Sequence, residues 1–178
     1  MPENASPSHS YYSENAIFLS GYIQDKLEYE SFIMNVGIRY DLFDPQSSHI
    51  DSILNPENSL TKSSKKAMWS PRIGVAYPIT DEGILHFSYG HFYQMPTMRN
   101  LFLKNIFGAG LSPTIGYSDL KPQKTVMYEF GMQQQLNRFL AINGSVFYKD
   151  IRDLLALQTI NYNSPTYGPS SYSIYLNK

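Results

Sequence analysis

The sequence predicts an all-β protein: an antiparallel up-and-down meander that belongs to a membrane-spanning barrel. Large apolar side chains alternate with small or polar ones along successive stretches, each close to the roughly ten residues of a tilted transmembrane strand. The connections between these stretches alternate between short turns and long polar segments. No run approaches the ~18 apolar residues of a membrane helix. In lipid only helices and closed barrels satisfy every backbone group, so a membrane role requires a barrel.

Composition excludes several classes of function. The 178 residues carry a net charge of −1, which offers no electrostatic attraction for nucleic acid. The chain has no cysteine, which excludes disulfides and every cysteine-based metal or nucleophile site. Its 15 tyrosines, 10 phenylalanines and 11 glycines are typical of sheet proteins with aromatic surfaces.

The clearest pattern is a hairpin from Trp69 to Tyr93. In its first arm Ile73 and Val75 alternate with small or polar residues, and in its second arm Leu85 and Phe87 do the same. Asp81 and Gly83 supply the residues that a tight reversal needs. The hairpin therefore has one apolar face and one small or polar face.

The other predicted strands follow from the same alternation. The full set is 16–27, 32–42, 67–77, 84–93, 125–136 and 139–151, with a stub at 172–177. Residues 1–14 are predicted to be a loop, and residues 43–66, 94–123 and the stretch after Asp153 to be long polar connections. The facing of the first strand stays open, because Ile17 and Leu19 alternate with the equally large Phe18 and Tyr22.

The alternation of short and long connections is typical of outer-membrane barrels, which have tight periplasmic turns and long extracellular loops. This orientation places an aromatic girdle, Tyr40, Trp69, Tyr128 and Tyr148, at the outer end of the apolar face. The residues predicted to share that face are Met34, Val36, Ile38, Ile73, Val75, Leu85, Phe87, Val126, Tyr128, Phe130, Ile142 and Val146.

The amino terminus has neither the basic n-region nor the apolar h-region of a secretory signal. For an exported protein this is a contradiction, and we expect the chain to be an internal piece of a longer protein.

From Asn15 onward the sequence resembles the barrel of TonB-dependent outer-membrane receptors. The matching segments, in order, are GYIQDKLEYESFIMNVGIRYDLFDP, WSPRIGVAYPIT, HFSYGHFYQMPT, SDLKPQKTVMYEFGMQQQL and NGSVFYKDIRDLL. The resemblance implies a barrel of about 22 strands with a plugged lumen. It also implies that this chain, residues 1–178, is a partial barrel domain without the plug domain and the remaining strands.

The function implied by the resemblance is that of a receptor and transporter in a Gram-negative outer membrane. Such a protein imports a scarce substrate with energy from the TonB complex, which acts through the plug. The expected partners are outer-membrane lipid, the plug and remaining strands, TonB and an imported ligand that the sequence does not name. No cofactor, metal, nucleic acid or enzymatic activity is expected.

Candidate site residues are the charged and polar side chains on the predicted lumen face: Arg39, Asp41, Arg72, His86, Glu129 and Lys149. The favoured interpretation is a charge network that satisfies polar groups inside the barrel and holds the plug. The alternative is that some of them contact ligand on its way through.

Three other kinds of function fit the sequence less well than a transporter. His86 and Ser88 lie two positions apart on one face, but a barrel enzyme also needs an orienting acid, and none is evident locally. His86 and His91 have opposite parity, which disfavours a shared metal. A secreted or soluble β-sheet binding module would need a second apolar face to cover six strands, and the sequence shows none.

Overall fold

The structure, a computed structural model, describes residues 14–56, 60–103 and 113–178. The predicted loop at residues 1–14 lies outside this range except for its last residue. The long strands are β1 Ile17–Glu28, β2 Ile33–Asp44, β5 Lys66–Thr80, β6 Gly83–Gln94, β8 Gln123–Asn137 and β9 Leu140–Arg152. The shorter elements are β3 Ser48–Ile50, β4 Leu60–Lys62, α1 Met98–Phe102, β7 Thr114–Ile115, β10 Leu155–Ser164 and β11 Gly168–Asn177.

The long strands form one open six-stranded sheet in the order β1-β2-β5-β6-β8-β9. Every neighbouring pair is antiparallel, which confirms the predicted up-and-down meander. Short turns join β1 to β2, β5 to β6 and β8 to β9, so these turns share one rim. The long connections leave from the opposite rim, as the sequence predicted.

None of the described helices is long and apolar enough to cross a membrane.

The register separates two faces, which we call the apolar face and the polar face. Directly opposite residues share a face, and the pairs Met34 with Val75, Val75 with Phe87 and Phe87 with Phe130 follow one row across four strands. The same register places all twelve predicted residues on the apolar face, which confirms that prediction.

Pairing with β2 decides the facing of the first strand. Ile23 lies opposite Ile38 and Leu27 lies opposite Met34, so Ile17, Leu19, Ile23 and Leu27 belong to the apolar face. Phe18 and Tyr22 are therefore on the polar face. The strand's own alternation could not show this, because both of its sides are apolar.

Pro71 and Pro78 lie in β5, a central strand, where a missing amide hydrogen normally disrupts pairing. β5 pairs with β6 only from Arg72 onward, so Pro71 is the first residue beyond that pairing. Pro78 borders an irregularity in the register. Both prolines thus lie where the ladder with β6 ends or shifts.

Aromatic side chains cluster on the apolar face toward the rim of long connections. The ring centroids of Tyr40 and Trp69 are 4.6 Å apart, and those of Tyr128 and Tyr148 are 6.3 Å apart. Tyr89 adds a further ring, 4.9 Å from Tyr128. The predicted girdle residues therefore share one face and one end of the sheet.

The segment after Asp153 was predicted wrongly. It contains strand β10, which pairs with β11 along ten positions as a separate hairpin. The predicted stub at 172–177 is the second arm of this hairpin and not a seventh strand of the main sheet. β11 also pairs in parallel with the two residues of β7, the one parallel contact among the described strands.

Candidate functional site

Two cavities lie against the polar face of the sheet. The first, which we call the strand cavity, has a volume of about 630 Å³ and is lined by Tyr22, Gln24, Asn35, Arg39, Ser70, Arg72, Ser88 and Phe92, among others. The second, the cap cavity, has a volume of about 540 Å³ and lies at the rim of long connections. Both of these cavities therefore bring polar-face side chains together.

All six candidate residues lie on the polar face by register, but the structure brings only two of them together. Arg39 donates to Asp41 from Nε at 2.8 Å and from Nη2 at 2.7 Å. Asp41 is buried. Among the described residues no ion pair joins Arg72, Glu129 or Lys149 to a partner. A continuous charge network is therefore not formed by these six side chains alone.

The remaining candidates contact neutral neighbours. Lys149 Nζ lies 4.9 Å from the centroid of the Phe147 ring. The His86 ring covers Gly131, because a Cβ placed on that glycine would lie 2.2 Å from His86 Nε2. No hydrogen bond links His86 to Ser88, so the side-chain pair that an enzyme would need is not formed. His91 lies on the apolar face, where its Nε2 is 2.7 Å from Tyr89 Oη.

The long connections fold into one unit over this end of the sheet. We call the described parts of residues 45–65, 95–122 and 153–178 the loop cap. Leu101, Phe102 and Leu120 from the middle connection pack on Phe43 and Met68, which project from the polar face of β2 and β5. The cap therefore covers the end of the polar face that lies next to the long connections.

Hydrogen bonds tie the three connections to one another. Ser63 Oγ lies 2.6 Å from Ser118 Oγ, and both residues are buried. The backbone amide of Lys121 donates to Asn177 Oδ1 at 2.8 Å, and Asn177 Nδ2 donates to the Lys121 carbonyl at 3.0 Å. Tyr172 Oη donates to the Ile53 carbonyl, and burial raises the pKa of Tyr172 to about 12. The cap is held by side chains from each connection.

Asp119 accepts several hydrogen bonds within the loop cap and from the start of β5. Its Oδ1 accepts from the Ser64 amide and from the Ser64 hydroxyl, each at 2.7 Å, and from Lys66 Nζ at 2.6 Å. Partial burial acts to raise the pKa of Asp119, but the bonds from Lys66 and Ser64 outweigh it and lower the pKa below its ordinary value. The carboxylate therefore joins the middle connection to the first.

We expect Asp119→Asn to loosen the cap by about 1–3 kcal/mol, because Lys66 would lose its charged partner. The pKa of Asp119 is lower in the folded cap than in the unfolded chain, so its ionised carboxylate stabilises the cap at pH values above the unfolded pKa. This stabilisation is lost as the pH falls through the folded pKa. The protection factors of the amides of residues 63–66, in which the intrinsic pH dependence of exchange is removed, should therefore fall in acid in the wild type and lose that pH dependence in the variant. Asp81→Asn, in an exposed turn at the other rim, is the matched control. Equal exchange in both variants would contradict this role.

The cap cavity lies between the loop cap and the sheet. Its wall is mostly apolar, with Phe18, Phe43, Met68, Met95, Pro96 and Met98 beside the Arg39–Asp41 pair, Tyr93 and Gln94. Binding cavities of this size usually combine apolar walls with a few placed polar groups. The arrangement suits a small ligand that enters from the side of the long connections.

The whole chain matches one protein family. The family model for the TonB dependent receptor-like β-barrel covers residues 2–177. The chain belongs to this family. The meander and the sorted connections, which the sequence predicted, are thus features of a TonB-dependent receptor barrel.

Solved structures show the same fold. The siderophore receptor PirA from Acinetobacter baumannii matches with a TM-score of 0.62 and 20% identity over 93% of this chain and 24% of its own. A mutant of the ferric enterobactin receptor PfeA from Pseudomonas aeruginosa matches with a TM-score of 0.65 and 17% identity over 91% and 22%. The copper transporter OprC matches with a TM-score of 0.56 and 17% identity over 93% and 26%.

The chain spans about a quarter of the length of these three structures. No curated protein matches it. The three structures are named as receptors or transporters and not as enzymes.

Sequence reasoning missed the residues that build the loop cap. Asp119, Ser118 and Asn177 lie in stretches predicted only as polar connections or as a stub. The turn between β10 and β11 has a recognisable local sequence. In the structure Ser164 Oγ accepts from the amides of Thr166 and Tyr167, and Gly168 has a φ of +75°. A Ser-Pro-Thr-Tyr-Gly turn could thus have been predicted, whereas the cross-loop bonds could not.

Proposed function

We propose that this chain is part of an outer-membrane receptor that binds a scarce substrate at the cell surface and imports it with energy from TonB. The observation that carries the proposal is the family match across residues 2–177. The loop cap adds support, because it borders a cavity on the polar face at the rim where extracellular loops belong.

The apolar face is proposed to contact outer-membrane lipid. Ile23, Phe130 and Val146 on this face are 71%, 49% and 69% exposed, far more than a soluble core would leave them. No second sheet covers that face within the described ranges. This favours a membrane barrel over a soluble binding module.

The polar face is proposed to face the lumen, where it would meet a plug domain and the passing substrate. Arg39, Asp41, Arg72, His86, Glu129 and Lys149 are the side chains offered to them. TonB would act through the plug, and the other barrel strands would pair with the free edges of β1 and β9. No resident cofactor is needed for such transport.

Uptake by the full-length receptor tests the proposal. Radiolabelled ferric siderophores and copper are the first probes, since the solved relatives are named for such substrates. Cobalamin, oligosaccharides and peptides complete the panel. We expect accumulation of at least one probe in cells that carry the receptor, and loss of that accumulation when TonB is deleted. Receptor-dependent uptake that persists without TonB would contradict the proposal, as would no receptor-dependent uptake of any probe.

A further inference from the structure

Two cations lie side by side on the apolar face, close to the rim of long connections. Lys124 of β8 lies directly opposite Arg152 of β9, on the face that also carries Val126 and Tyr128. Like charges at directly opposite positions of a sheet repel each other and destabilise the pair. A negatively charged group is therefore needed beside them.

Asp150 balances only one of these two charges. Arg152 donates from Nε to Asp150 Oδ2 at 2.9 Å, two positions along the same strand face. Lys124 makes no ion pair with a carboxylate among the described residues. One positive charge of the cluster is thus left without a counter-charge.

Both strands beside Lys124 are present, so its unmet charge does not depend on strands beyond this chain. β8 lies inside the sheet between β6 and β9, and a further strand would lie next to Arg152 and not next to Lys124. The residue opposite Lys124 on β6 is the neutral Tyr93, whose ring centroid is 5.9 Å from Lys124 Nζ. A plug inside the barrel would contact the other, polar face. The group that meets this charge is therefore expected outside the barrel wall.

The two cations stand just beyond the aromatic girdle. Tyr128 and Tyr148 lie opposite each other on the apolar face, and tyrosine rings on a barrel wall mark the membrane interface. Lys124 is four positions from Tyr128 toward the long connections, which is about 13 Å along a strand. This places Lys124 and Arg152 at the level of the polar headgroups of the outer leaflet.

We propose that Lys124 and Arg152 form an external lipid site that binds a phosphate group of an outer-leaflet lipid. A lysine binds phosphate as a compact charge, and an arginine does so through its fork of N–H groups. The Arg152 side chain is 69% exposed, so it can contact a phosphate while it stays bonded to Asp150. Phe130 and Val146, exposed farther down the same face, would contact the acyl chains of that lipid. This inference rests on the proposed function and deepens it, since it names the lipid group that this face recognises.

The test uses lipid A, a phosphorylated glycolipid, as the probe and the full-length receptor in detergent, with native mass spectrometry to count bound lipid. We expect Lys124→Gln to need roughly tenfold more lipid A to fill one of the wild type's sites, because one charge-assisted contact is lost. Asp150→Asn should bind lipid A more tightly than the wild type, because Arg152 is then free to bond to the phosphate. Opposite effects of the two substitutions would not arise from a general loss of stability.

Lys26→Gln is the matched control, because Lys26 lies on the polar face of β1, away from lipid, and it should bind lipid A as the wild type does. With dephosphorylated lipid A, the wild type and Lys124→Gln should bind equally. An excess of inorganic phosphate should not displace lipid A, because the acyl chains also contact the protein. Heat-modifiable migration on gels shows that each variant is folded.

Equal binding of lipid A by the wild type and Lys124→Gln would overturn the external lipid site, as would weaker binding by Asp150→Asn. A difference that persists with dephosphorylated lipid A, or displacement of lipid A by inorganic phosphate, would also contradict it. TonB-dependent uptake is measured separately, so uptake that persists alongside a failed lipid test would reject the external lipid site alone.

Discussion

Val75→Arg should destabilise the full-length barrel by about 2–4 kcal/mol, because an arginine near the bilayer midplane on a lipid-facing strand position costs that much. Val75 lies near the middle of β5, with Met34 and Phe87 directly opposite on the apolar face. Both neighbours are apolar, so neither offers an acceptor to the new guanidinium. Chemical unfolding in phospholipid vesicles measures the loss.

The matched control is Ser88→Arg, which places the same side chain on the polar face of the next strand. Ser88 lies opposite Gly74 and Glu129, so the new guanidinium would have space on one side and a carboxylate on the other. We expect a change below about 1 kcal/mol, as for most exposed substitutions. Equal losses of stability at both positions would show that the two faces do not contact different surroundings. That result would contradict the assignment of the apolar face to membrane lipid.

The 178-residue chain expressed alone should form no closed barrel. β1 pairs only with β2 and β9 only with β8, so each outer strand presents a row of unpaired N–H and C=O groups. Such edges aggregate in water and cannot persist in lipid. Six strands also fall short of the eight that the smallest bacterial barrels contain.

Refolding into detergent tests this expectation. The isolated chain should give aggregates and no heat-modifiable monomer, whereas the full-length receptor refolded in the same detergent should give one. The stub at 172–177 was predicted as a further strand after 139–151, but the sheet order makes β9 the outer strand. A monomeric, protease-resistant barrel formed by the chain alone would contradict its assignment as part of a larger barrel.

The sequence by itself determined the strands of the main sheet and the faces of five of them. In β2 the large residues Val36 and Ile38 alternate with Gly37 and Arg39, and such a pattern fixes a strand's two faces without any partner. The short turns enforce antiparallel neighbours. Because side chains alternate between the two faces of a strand, the six candidate residues could also be placed on one face from the sequence alone.

Only the tertiary structure decided the facing of β1, the hairpin of β10 and β11 and the loop cap. Both sides of β1 are apolar, so its facing depends on the pairing of Ile23 with Ile38. Asp119 meets Ser64 across 55 positions of the chain, and Asn177 meets Lys121 across 56. Such contacts join residues far apart in sequence, and no local period encodes them.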